Sequence, residues 1–162
     1  MSVRLETSAE ITAPLARVWD ELVDWRGQSR WIPFTTVKIE TDHEAGLGVR
    51  ATALSGFWLG RIPVGLLDRF VVTGWTPPGP DGRAELEVLH LGPYFTGEGV
   101  FALRSHGGVT TVTCVELFNL PLGAVTERMG RLLLPVLRGG FAVSLRRFAA
   151  VCERPSDPRQ PS

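Results

Sequence analysis

The chain opens with strict alternation. Val3, Leu5, Thr7, Ala9 and Ile11 fall on one face, and Arg4, Glu6, Ser8 and Glu10 on the other. A period of two with one charged face predicts a half-buried strand. Thr12 follows as a predicted helix N-cap, with Pro14 in the first turn, where its missing N–H costs nothing. Leu15, Val18, Trp19 and Leu22 share one side of that helix and Arg17, Asp20 and Glu21 the other, which predicts an end near Asp24. Gln28 to Ile32 adds one more helical turn before Pro33. From Thr35 the period returns to two. Strands are predicted over Thr36–Thr41, Val49–Trp58, Leu67–Trp75, Arg83–Leu91, Thr96–Arg104 and Val109–Phe118. Between them stand the turn signals Glu44-Ala45-Gly46, Gly60 to Gly65, Pro77 to Gly82, Gly92-Pro93 and His106-Gly107-Gly108. Turns this short join neighbouring strands into an antiparallel meander, because parallel strands need long crossovers. Both faces are apolar between residues 67 and 75, so the pattern leaves the register open there.

The last element is helical, with Pro121 in its first turn. At about 100° per residue, Val125, Met129, Leu132, Leu133, Val136, Gly140, Val143, Ser144 and Val151 form one stripe, opposite Glu127, Arg128, Arg131, Arg138 and Arg146. Pro135 predicts a kink or a break, and Gly139 and Gly140 weaken the same region. Phe141 falls near the polar side beside Leu134 and Leu145, which predicts a kink, a contact with a strand, or a surface for another molecule.

The order is strand, helix, short helix, six strands, long helix. With it go several local signatures: Glu10-Ile11-Thr12-Ala13-Pro14-Leu15-Ala16-Arg17-Val18-Trp19, Trp31-Ile32-Pro33, Gly46-Leu47-Gly48, Val72-Thr73-Gly74-Trp75-Thr76-Pro77-Pro78 and Val109-Thr110-Thr111-Val112-Thr113. In this order they resemble the START-like superfamily (SRPBCC; polyketide cyclase/dehydrase and lipid transport proteins) over residues 3 to 152. The resemblance implies an α+β helix-grip fold: a seven-stranded curved antiparallel sheet wrapped around a long C-terminal helix, with two short helices after the first strand and a cavity between sheet and helix. The superfamily hosts carriers, cyclases, hydroxylase domains and chaperone activators, so the fold leaves the activity open.

Composition narrows the classes. The 162 residues suit one domain, read as 1–153, with a disordered tail over 154–162 that holds three prolines and no large apolar residue. The net charge is zero, which removes the bulk electrostatic case for nucleic acid. All of the 17 basic residues except Lys38 are Arg. No apolar leader opens the chain, and Leu132 to Leu145 is interrupted by Pro135, Arg138, Gly139 and Gly140, short of the roughly 20 residues a membrane span needs. Cys114 and Cys152 read as buried free thiols of a cytoplasmic protein, which is expected to be a monomer or homodimer.

No nucleophile elbow, zinc motif or phosphate loop is present, and Gly97-Glu98-Gly99 precedes nothing helical. No metal or cofactor is expected. Val112, Cys114, Glu116 and Phe118 share one face of the last strand. If that face meets the helix, Glu116 points into an apolar space, where desolvation raises its pKa; the alternative is an outward Glu116 or a structural ion pair. Glu85 and Glu87 turn His90 inward, to act in a site or to bond a backbone carbonyl. The predicted pocket is lined by Trp58, Phe70, Val72, Leu86, Val88, His90, Phe101, Leu103, Val112, Cys114, Glu116, Phe118, Met129, Leu133, Val136, Gly140 and Ser144, with Glu116 and His90 the catalytic candidates.

Three functions compete. The first is a carrier or binder of a small hydrophobic ligand, lipid-like or aromatic. About ten buried methylenes at roughly 0.8 kcal/mol each give about 8 kcal/mol gross, the scale of a micromolar complex. The second is a polyketide-type aromatase/cyclase or dehydratase, which needs at least two polar groups converging in the pocket. The third is a protein-interaction module using a patch of Leu134, Phe141 and Leu145.

Overall fold

A computed structural model describes residues 2–59, 62–119 and 124–154; the side chains of residues 2, 57–63, 124–134, 136 and 137 lie outside the description. The elements run β1 (Ser2–Ile11), α1 (Leu15–Val23), a 3-10 turn (Arg26–Arg30), β2 (Thr35–Ile39), β3 (Arg50–Leu59), β4 (Ile62–Thr76), β5 (Arg83–Pro93), β6 (Thr96–His106), β7 (Val109–Asn119) and α2 (Ala124–Cys152). The strands form a seven-stranded antiparallel sheet in the order β1-β7-β6-β5-β4-β3-β2. This is the helix-grip fold, with both helices against one face. Only β1 departs from sequential order, returning to pair with β7 from Ser2↔Asn119 to Ile11↔Thr110. Among the described residues no helix is long and apolar enough to cross a membrane.

Local chemistry departs from the sequence reading at several points. Thr12 does not cap α1. Pro14 occupies the cap position in an extended conformation, with no side-chain hydrogen bond. The Thr12 N–H instead donates to the Glu153 carboxylate at 2.9 Å, tying the end of α2 to the strand–helix junction. Residues 62–66, expected within a turn, belong to β4. Gly56 and Gly65 pair across β3 and β4, and a Cβ on either would run into the carbonyl oxygen of Val64 or Ser55. These glycines mark a close approach of two backbones rather than a loop.

The open register resolves through bulges in the β4–β5 ladder between Arg69 and Phe70 and between Val72 and Gly74. Phe70 and Val72 are buried, and past the second bulge Trp75 packs edge-on against Trp19, with centroids 5.1 Å apart. Inward positions separated by an odd number cannot be read from a period of two, because a bulge flips the face.

The α2 stripe is also corrected. The helix runs unbroken through Pro135. In its described half Leu145, Phe148, Val151 and Cys152 are buried, whereas Gly140, expected inside, is exposed. The inward line is therefore 141, 145, 148 and 152. The sequence wheel followed the Leu- and Val-rich first half, where apolar residues occur on several sides. Phe141 is a strand-contacting residue, 6.1 Å from the ring of Phe118. With Leu145 buried, the expected patch does not form among the described residues; Leu134 lies outside them.

The core fills one half of the hollow. Trp25 packs at a tilt against Phe70, with centroids 5.3 Å apart, and Trp31 edge-on against Phe148 at 5.0 Å, around Ile11, Val18, Val49, Leu86, Leu103 and Val112. A smaller cluster of Val3, Leu5 and Phe118, joined by Phe95 and Phe141, occupies the other end. Phe148→Ala should lower the unfolding free energy by about 3–5 kcal/mol in urea titrations, the range for a fully buried aromatic. Leu117→Ala, on an exposed side chain, should change it by less than about 0.5 kcal/mol.

Candidate functional site

The site lies where β4, β5, β6 and β7 meet the smaller cluster. The cross-strand register sets His90 opposite Gly97, and Gly99 opposite Glu116. β6 thus presents two glycines on its inner face between a histidine on one neighbour and a glutamate on the other. A Cβ at Gly99 would stand 2.8 Å from Glu116 Oε2 and 2.9 Å from Val88 Cγ2. The missing side chains leave a trough that the imidazole and carboxylate cross to meet. This is the structural role of Gly97-Glu98-Gly99.

His90 Nε2 lies 3.2 Å from Glu116 Oε2, and His90 Nδ1 lies 2.8 Å from Asp68 Oδ2. Asp68 reaches the ring from β4 because it lies two residues before Phe70 and shares its inner face by alternation, while the extra residue at this step of the ladder, Leu91, lies on β5. The Cys114 thiol donates to Glu116 Oε1 across 3.8 Å. Phe95 and Phe118 flank the imidazole with centroids at 5.3 and 5.8 Å. Glu116 is 4% exposed and His90 9%. Asp68 Oδ1 is buried and accepts no hydrogen bond among the described residues, so the imidazolium is the main compensation for that carboxylate.

Burial alone would push the His90 pKa down. The hydrogen bonds and charges of Asp68 and Glu116 outweigh it and raise the value to about 9. The ring is thus an imidazolium at neutral pH, donating from both nitrogens. Desolvation raises the Glu116 carboxyl above the usual range, against the opposing pull of His90. Desolvation and the neighbouring Glu116 push the Cys114 thiol up, so it stays protonated and is no nucleophile. The cluster is a proton-holding chain, Asp68–His90–Glu116, in a largely dry setting.

Beside it lies a cavity of about 220 Å³, lined by Leu5, Glu6, Thr7, Cys114, Glu116, Arg138 and Phe141. Glu116 is therefore both the end of the proton chain and part of the cavity wall. Among the described residues no group of three or more His, Cys, Asp or Glu is arranged to hold a metal ion.

Of the residues singled out from sequence, His90, Cys114, Glu116 and Phe118 are brought together here, with Val88 beneath Gly99. Phe70, Val72, Leu86, Leu103 and Val112 belong to the packed core, with half-buried Phe101 against it. Gly140 is exposed. Ser144 is half-buried and forms no hydrogen bond to the cluster. The side chains of Trp58, Met129, Leu133 and Val136 lie outside the described residues. Sequence reasoning missed Asp68, Arg138, Leu5, Thr7 and Phe141 as site residues. Asp68 carried a signal, a lone acid two positions from Phe70 in an apolar strand.

No family model matches the chain, and no curated protein matches it by sequence. Solved structures match its fold. Protein TTHA0849 from Thermus thermophilus superposes with a TM-score of 0.69 at 14% identity, over 93% of this chain and 97% of that one. The ZhuI aromatase/cyclase from Streptomyces sp. R1128 gives 0.66 at 15% identity, over 98% of each chain. A protein from Arthrobacter aurescens gives 0.64 at 21% identity, over 95% of this chain and 88% of that one.

A histidine whose folded pKa exceeds its unfolded 6.5 stabilises the fold fully below pH 6.5 and loses that contribution as pH rises to about 9. The loss over that window should be on the order of 3 kcal/mol in denaturation curves. Asp68→Asn should shrink it, and NMR titration of the ring should show the His90 pKa lowered. Gly99→Ala should lower it too, by pushing the Glu116 carboxylate away from the imidazolium.

Proposed function

We propose that the protein binds a small, largely apolar molecule between β1, β7 and α2, with the Glu116 carboxyl as the polar anchor. The observation that carries this reading is a buried carboxyl group opening into a cavity of about 220 Å³. That volume exceeds the roughly 150 Å³ that admits benzene, and falls below the roughly 300–1,000 Å³ of drug-sized sites. A ligand of about one aromatic ring fits those limits. Burying roughly 200 Å² of its apolar surface yields about 5 kcal/mol gross, before the losses of association. Apolar contact alone therefore gives weak binding, and the hydrogen bond to Glu116 supplies both orientation and much of the net affinity.

The convergence of His90 and Glu116 favours a second reading, a cyclase- or dehydratase-type enzyme. The ZhuI aromatase/cyclase shares the fold, and its name makes the chemistry concrete, although the likeness is one of fold. Here the His90 imidazolium would pass a proton through Glu116 to the departing hydroxyl, which leaves as water, and the double bond forms as the proton α to the carbonyl is taken by the Glu116 carboxylate and returned to His90.

Phenol titrated into the protein should shift backbone amide NMR signals at Cys114, Glu116 and Phe141. Glu116→Gln should weaken binding about tenfold, and Thr7→Leu, which fills the cavity, should abolish it. Shifts confined to other parts of the sheet would reject the site. For the second reading, turnover of a β-hydroxy ketone should vanish in Glu116→Gln while binding persists; absence of turnover in the wild type would leave the binder.

A further inference from the structure

The geometry points to an anionic ligand, an aromatic carboxylate whose charged end pairs with Arg138 while a hydroxyl at its other end meets Glu116. This rests on the cavity reading above and names the class of molecule it takes. The first observation is the position of Arg138 on α2. Counted back along the inward line from Cys152 through Phe148, Leu145 and Phe141, the next place at the three- and four-residue spacing of a helix face is 138. The chain places an exposed arginine there, and it lines the cavity.

The second observation is charge. Two acids share the wall with Arg138, and both are engaged elsewhere. Glu6 pairs with Arg4 at 2.6 Å. Glu116 is held by His90 at 3.2 Å and accepts from Cys114. Arg138 lines the cavity and makes no ion pair among the described residues, which leaves its guanidinium open to an anion there. A guanidinium presents a planar fork of N–H donors that matches a carboxylate in bidentate fashion.

The remaining walls fit a ring between two polar ends. Phe141 and Leu5 supply apolar surface, and the Thr7 hydroxyl and Cys114 thiol flank the Glu116 end. A long acyl chain would need more volume than the cavity holds. A neutral hydrocarbon would leave the guanidinium without a partner in the cavity.

The test compares para-hydroxybenzoate with para-cresol, which keeps the ring and hydroxyl and replaces the carboxylate with a methyl group. Binding is followed by calorimetry at pH 7 with wild type, Arg138→Gln and Glu116→Gln. In wild type para-hydroxybenzoate should bind roughly tenfold or more tightly than para-cresol, the scale of a charge-assisted hydrogen bond. Arg138→Gln, on an exposed side chain, should erase that preference and leave para-cresol unchanged; Glu116→Gln should weaken both probes. Equal binding in wild type, or a preference that survives Arg138→Gln, overturns the inference while the cavity reading stands. Failure of both probes to bind the wild type overturns the cavity reading and the inference with it.

Discussion

A charge enclosed by apolar protein must be matched nearby or neutralised, because stripping its water costs several kcal/mol even after the surroundings relax. Three ionisable side chains on three strands meet that requirement here through one imidazolium. His90 spans from Asp68 on β4 to Glu116 on β7, and the arrangement exists only because β6 carries Gly97 and Gly99 where side chains would block the path. Asp68 stands on the same inner face by alternation with Phe70 along β4. Glycines and charges form one mutually dependent unit.

That unit divides the hollow of the sheet. On one side α1, the 3-10 turn and the end of α2 close the space with Trp19, Trp25, Trp31 and Phe148, leaving a packed core that fixes the sheet's curvature. On the other, α2 passes over β1 and β7 with Phe141 touching Phe118, and a ring-sized cavity remains. The tryptophans thus serve the site indirectly, holding rigid the strands that carry Asp68, His90 and Glu116. Phe95 and Phe118 keep water from the imidazolium, which strengthens the hydrogen bonds it donates. Binding and proton transfer need the same dry, preorganised carboxyl, which is why one geometry supports both a binder and a cyclase-type enzyme.

Much of the architecture was legible in the chain. Alternation located six of the seven strands to within two residues and β4 without its first five, the short turns gave the antiparallel meander, and the parity of β5 and β7 turned His90 and Glu116 inward. The illegible parts share a cause. Asp68 has the parity of Phe70, but the histidine it meets lies on another strand, and Trp75 lies beyond a bulge, which reverses facing without leaving a mark in a period-two pattern. Arg138 fell on the polar side of the helix wheel and is exposed, and that it also borders the cavity depends on how α2 lies over β1. Gly97-Glu98-Gly99 drew notice as a loop motif, while its function is the absence of two side chains between neighbours that sequence does not bring together.

The sequence by itself determined the element order and which face of most strands is buried, because those follow from local periodicity and turn chemistry, and the resemblance carried by its motifs implied the fold class. Tertiary structure decided where the hollow is filled and where it stays open, and which acid meets the histidine. Those outcomes depend on register, bulges and the rotation of α2, which arise from contacts between residues tens of positions apart.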